Sequence, residues 1–109
     1  MSIDYTWEKL HAAVLTLASG TGSIQERLCN AYADSLMRLQ DRDDFPIEMR
    51  DDFEAIQNEL TAVQPLGDEG SVKASTNAIT DDKASEIAEK IVSLYDQITR
   101  IYAVKADIR

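Results

Sequence analysis

A chain of 109 residues with 44% hydrophobic and 28% charged residues reads as one globular domain, 1–109, and not as a disordered segment. It carries 20 acidic residues against 11 basic ones, a net charge of −9. That balance excludes recognition of a phosphate backbone, which draws its affinity from Lys and Arg, and works against docking on an anionic membrane. The charge is also uneven. Asp41 to Glu69 holds ten acidic and two basic residues, so one stretch carries −8 of the net −9.

A chain of this length buries about 65% of its unfolded surface and needs no metal or disulfide to stay folded. Aromatic residues are 6% of the total and Trp7 is the sole tryptophan, which points to an aliphatic, helix-packed core. Cys29 is alone, so an internal disulfide is impossible and a reducing compartment fits. No basic start precedes an apolar run near the N-terminus. Asp4 and Glu8 stand there instead, and Ala12 to Leu15 is too short for a signal or a span. The expectation is a cytoplasmic protein of bacterial type.

The first helix is expected over 3–18. Trp7, Leu10, Val14 and Leu17 recur at helical spacing, Ala13, Leu15 and Ala18 widen that face, and Gly20 and Gly22 stop it. Ser23 and Glu26 stand in the capping-box relation and start a second helix, 24–40. Its inward stripe is Ile24, Leu28, Ala31, Tyr32, Ser35, Leu36 and Leu39. The connection Asp41-Arg42-Asp43-Asp44-Phe45 follows. Pro46 then suits the first position of a third helix, 46–63, with the seam Met49, Phe53, Ile56, Leu60 and Val63. Phe45 stands where a hydrophobic staple could pack back on Met49 or Arg50. Glu48, Asp51 and Asp52 fall in its first turns, where negative charge complements the helix dipole.

Residues 64–79 are a long connection for a compact domain, and a short extra helix over 71–79 would account for part of it. Thr80 caps the last helix, 81–105. Ala84, Ile87, Ile91, Leu94, Ile98 and Ile101 give it a heptad-like seam for helix-on-helix packing. No strand or hairpin signal is present. The fold class is all-α: an up-down bundle of four main helices.

Few residues offer chemistry. Glu48 and Asp51 are three apart on one helix, and so are Glu86 and Glu89 on another. Two such pairs on facing helices could hold Mg²⁺. The arrangement resembles the carboxylate pairs of all-α nucleoside triphosphate pyrophosphatases, with the order of the two motifs reversed. Glu86 and Glu89 lie opposite the Ile87, Ile91, Leu94 seam, so a solvated acidic face is the preferred reading, with no catalytic residue, metal or cofactor assigned. His11 is the sole histidine, and Glu8-Lys9-Leu10-His11 supplies a Glu-x-x-His motif without a partner. A half-exposed residue beside Trp7 fits it better. Ser19-Gly20-Thr21-Gly22-Ser23 has neither the Lys-Ser/Thr nor the preceding strand of a phosphate loop, so it reads as an interhelical turn. Cys29 has only Arg27 for a basic neighbour and reads as a packed small residue.

What remains is a recognition surface. Asp41, Asp43, Asp44, Glu48, Asp51 and Asp52 surround Phe45, which could serve as an apolar anchor ringed by charge. Short, acidic, helical chains of this general type are similar to colicin immunity proteins, at the level of fold alone. The expected function is therefore non-enzymatic: binding of a protein partner with a basic surface through 41–54, as an inhibitor, immunity or anti-defence factor. Two alternatives stand beside it. One is a helical accessory subunit or homodimer using apolar faces of the first and last helices, with Tyr5 and Tyr102. The other is the Mg²⁺-dependent nucleotide hydrolase.

Overall fold

The first two helices are joined by a short turn whose hydrogen bonds the sequence supplies locally. α1 runs Ile3–Ser19 and closes as the Gly20 amide donates to the Thr16 carbonyl at 3.1 Å. Ser23 caps α2, Ile24–Ala31, its Oγ accepting from the Glu26 amide at 3.1 Å. Arg27 then reaches back and donates to the carbonyls of Leu17 at 2.8 Å and Gly22 at 3.1 Å. A cation on the C-terminal end of α1 satisfies carbonyls that the helix leaves open. Gly20 allows this approach: a Cβ there would stand 2.6 Å from the Arg27 side chain and 2.9 Å from the Thr16 carbonyl oxygen.

The computed structural model describes residues 3–65 and 70–108, the side chains of Asp41 and of residues 106–108 excepted. α2 continues through one widened π-turn, Tyr32–Leu36, closed by the Met37 amide on the Tyr32 carbonyl at 2.9 Å. The helix expected to reach residue 40 thus ends four residues sooner. Gln40 is extended, with φ −108° and ψ 129°, and opens a single helical turn, α3, Asp41–Asp44. The third main helix also departs from the expected 46–63. Pro46 disfavours helical backbone in the residue before it; Phe45 is extended, φ −123° and ψ 143°. Pro46 itself has ψ 152° and lies outside the helix. A 3₁₀ turn, Ile47–Met49, leads into α4, Arg50–Leu60. The expected short helix is α5, Ser71–Asn77, and the last is α6, Asp81–Ile108, capped by Thr80 Oγ1 on the Lys83 amide at 3.1 Å.

The architecture is an all-α bundle, with no strand among the described residues. Trp7 meets Thr99 and Tyr102 while His11 meets Tyr95, so α1 and α6 run antiparallel. Glu59 meets Lys83 while Asp52 lines a cleft with Lys90 and Ser93, so α4 and α6 are antiparallel too. α5 packs on both α2 and α4, and the Ser75 hydroxyl accepts from the Val63 amide at 3.0 Å.

The core follows the helical seams. Leu28, Leu36 and Leu39 from the second helical segment and its exit, Met49, Phe53, Ile56 and Leu60 around α4, and Ala84, Ile87, Ile91, Leu94 and Ile98 from α6 are all buried. α1 is rotated from the expected phase: Ile3, Thr6, Leu10, Ala13 and Leu17 face inward, Trp7 and Val14 ride at the edge, and Leu15 and Ala18 are exposed. Val63, placed on the α4 seam by spacing, lies past the helix end and is exposed. No described helix is long and apolar enough to cross a membrane.

Candidate functional site

The acidic segment begins where α3 docks against α1. Thr6 is fully buried and donates its hydroxyl to the Asp44 carbonyl at 2.6 Å. Asp44 in turn accepts from the Gln40 amide through Oδ2 at 2.7 Å. Asp44 is half-buried, and the hydrogen bond explains it: it closes its own turn. Asp43 is exposed on the same turn. The side chain of Asp41, and Asp68 and Glu69 further on, lie outside the described residues.

Phe45 corrects the sequence expectation. It was expected as a surface anchor, but it is fully buried, its ring 4.4 Å from that of Phe53. Its carbonyl accepts from Arg50 Nε at 3.0 Å. The chain is extended at Phe45 and Pro46 and then winds into the 3₁₀ turn Ile47–Met49, where each residue is rotated about 120° from the last. Phe45 and Met49 go in, and Ile47 between them goes out with 77% of its surface exposed. Ile47 is the residue that the sequence reading missed. No local signal marked it: a two-residue spacing from Phe45 would place both on one face of an extended chain, and the 3₁₀ turn is what parts them.

Glu48, Asp51, Asp52 and Glu54 are exposed around this turn. Asp51 and Asp52 stand in the first turn of α4, where the free amides and the dipole favour them. Among the described residues none of these four has an ion-pair partner. Asp43, Glu48, Asp51 and Asp52 are thus exposed carboxylates, while Asp44 closes its own turn and Phe45 is buried in the core.

The remaining candidates fall into place one by one. Glu48, Asp51, Glu86 and Glu89 are all exposed, and the two pairs are not brought together. Among the described residues no group of three or more His, Cys, Asp or Glu side chains is placed to hold a metal ion. His11 stacks on Trp7 at 4.8 Å and 12°, with Nδ1 3.1 Å from the Tyr95 hydroxyl. Tyr102 also stacks on Trp7, at 5.2 Å, and the indole N–H donates to Thr99 Oγ1 at 2.9 Å. This stack joins α1 to α6. Cys29 is half-buried in a shallow cleft of about 410 Å³ with Glu26, Asn30, Lys73, Thr76 and Asn77. A smaller cleft of about 230 Å³ lies between Asp52 and Ala55 of α4 and Lys90 and Ser93 of α6. Tyr32 is buried, which raises its phenol pKa above the ordinary value, while a hydrogen bond with Gln57 pulls it down.

No family model, no curated protein and no solved structure matches this chain.

Proposed function

We propose that this is a non-enzymatic binding protein whose acidic surface over 41–54 docks on a basic surface of a protein partner. One observation carries the reading: Glu48, Asp51, Asp52 and Glu54 are exposed with no cation paired to them among the described residues. Like charges in one short segment repel one another, which offsets what Asp51 and Asp52 gain from the α4 dipole. Their value lies in steering a cationic surface and in rejecting anionic ones. A protein that masks a nucleic-acid-binding cleft is one concrete form, since such clefts are basic. An inhibitor or immunity role belongs to that form.

Amide substitution tests this at constant shape. Asp43→Asn, Glu48→Gln, Asp51→Asn and Glu54→Gln together should lose a partner that the wild-type chain captures and that rising salt releases. Equal capture, insensitive to salt, would leave these acids as solvated surface only.

A second reading, self-association, draws on the half-exposed stack of Trp7, His11, Tyr95 and Tyr102 and on exposed Leu15, Val92 and Val104 of α1 and α6. Light scattering across a concentration series decides it; a strict monomer at high concentration removes it.

A further inference from the structure

We infer that Ile47 is the apolar anchor of the acidic surface, and that the partner presents an apolar hollow rimmed by Lys or Arg. This rests on the acidic-surface reading above. The turn that carries Ile47 is built to hold it still. Phe45 and Met49, the residues two before and two after it, are each fully buried. Pro46 fixes the backbone between them at φ −56°, and the Met49 amide closes the turn on the Pro46 carbonyl at 2.9 Å. Arg50 folds back on the Phe45 carbonyl and ties the exit to the entry. A side chain so mounted loses little freedom when it docks, which is the condition for an effective anchor.

The surroundings define the occupant. Among the described residues Ile47 is the most exposed large hydrophobic side chain, at 77%, and Glu48 follows it directly. Asp43, Asp51 and Asp52 are exposed on the turns before and after. Exposed acids so near in sequence disfavour self-pairing, because a second copy would set acid against acid, and disfavour an anionic lipid surface. Charge complementarity selects a cationic protein surface, and the central β-branched side chain asks for a hollow within it. Interfaces of this kind divide the labour: rim charges govern encounter and salt dependence, and the desolvated centre governs how long the complex lasts.

Two defined peptides of equal charge separate these roles: an oligolysine, and an amphipathic lysine–leucine peptide. Their affinities for the full chain are measured by titration calorimetry at several salt concentrations. The wild-type chain should prefer the lysine–leucine peptide by about tenfold, the size of one anchor. Ile47→Ser should abolish that preference and leave oligolysine binding unchanged, and Ile47→Leu should restore it. Melting temperatures of both variants should match the wild type, because the side chain is exposed. A preference that survives Ile47→Ser, or none in the wild-type chain, overturns the anchor. The amide variant distinguishes the two levels of failure. If it binds both peptides as well as the wild type does, or if the wild type binds neither, the acidic-surface reading falls. If it binds both more weakly while Ile47→Ser changes nothing, only the anchor falls.

Discussion

Glu59 and Asp51 belong to one helix, about two turns apart, and their charges meet opposite circumstances. Glu59 sits in the α4–α6 seam, Oε1 2.9 Å from Lys83 Nζ and Oε2 4.0 Å from Lys90 Nζ. Lys83 also approaches Glu86 at 3.7 Å, and Asp96 pairs with Arg100 at 3.2 Å further along α6. Glu59 holds the Lys83 ammonium above its ordinary pKa, chiefly through their hydrogen bond and then through charge. Asp51 faces water with Glu48, Asp52 and Glu54, and no described cation answers any of them. Acids in the α4–α6 seam are part of how the helices register. At the α3–α4 end Asp44 closes its own turn and Asp51 and Asp52 complement the α4 dipole, but the exposed acids there meet no described cation. The difference locates where selection for something other than folding would act, and it can be broken or sharpened by substitution.

The largest effect belongs to the apolar floor beneath the acidic end. Phe45→Ala empties a fully buried site against Phe53 and should lower stability by about 3–5 kcal/mol in urea unfolding. A loss under about 1 kcal/mol would return Phe45 to the surface and make it the anchor again. Thr6→Val is next. It keeps the shape but withdraws the hydroxyl from the Asp44 carbonyl, a bond of 2.6 Å from a fully buried residue. About 1–2 kcal/mol should go, with faster amide exchange in α3. Unchanged exchange there would mean that α1 does not hold the acidic turn in place.

These two sites also show what the sequence made legible. The helices were readable because their seams are local and periodic: Ala84, Ile87, Ile91, Leu94 and Ile98 announce a buried face, and that face is buried. Capping was readable for the same reason, at Ser23 and Thr80. The phase of α1 was not. Thr6 is buried because a carbonyl from another element accepts its hydroxyl, and nothing in the helix itself reports that partner. Trp7 was expected to be central, yet its indole N–H needs an acceptor and finds Thr99 at the edge of the seam. At the acidic end the segment was legible and its polarity was inverted. Reading Pro46 as the first helical residue put Phe45 outside; proline instead holds Phe45 extended and buried, and the 3₁₀ turn that follows leaves Ile47 out. The ion pairs of Glu59 depend on the α4–α6 approach and have no local signature.

Glu59→Gln tests the paired region. Both partners keep part of their surface, 30% for Glu59 and 39% for Lys83, so solvent screening leaves only the small loss of an exposed ion pair. Glu59 Oε2 is also shielded from water without a hydrogen-bond partner, which reduces what the pair contributes. A pH direction follows. Because the folded-state value for Lys83 is raised, the contribution is whole below the ordinary 10.5 and is lost as pH climbs through the raised value. Wild-type and Glu59→Gln stabilities should therefore converge at strongly alkaline pH. A gap that persists there would assign the loss to packing.

The smallest effect on stability is the most telling for the acidic end. Asp43→Asn, Glu48→Gln, Asp51→Asn and Glu54→Gln together remove four exposed charges from a chain of net −9. Two terms oppose each other. Loss of Asp51 from the first turn of α4 gives up about 0.3–1 kcal/mol of dipole interaction. Relief of repulsion among neighbouring carboxylates returns a similar amount at low ionic strength. The sum should lie within about 0.5 kcal/mol of zero. Salt gives its sign away: screening weakens the repulsion that the wild type carries, so the wild type should gain stability with added salt and the variant should gain less. The decisive outcome is a large loss. Were the quadruple variant to unfold as readily as Thr6→Val, these acids would be structural like Glu59, and the contrast between the two ends of α4 would disappear.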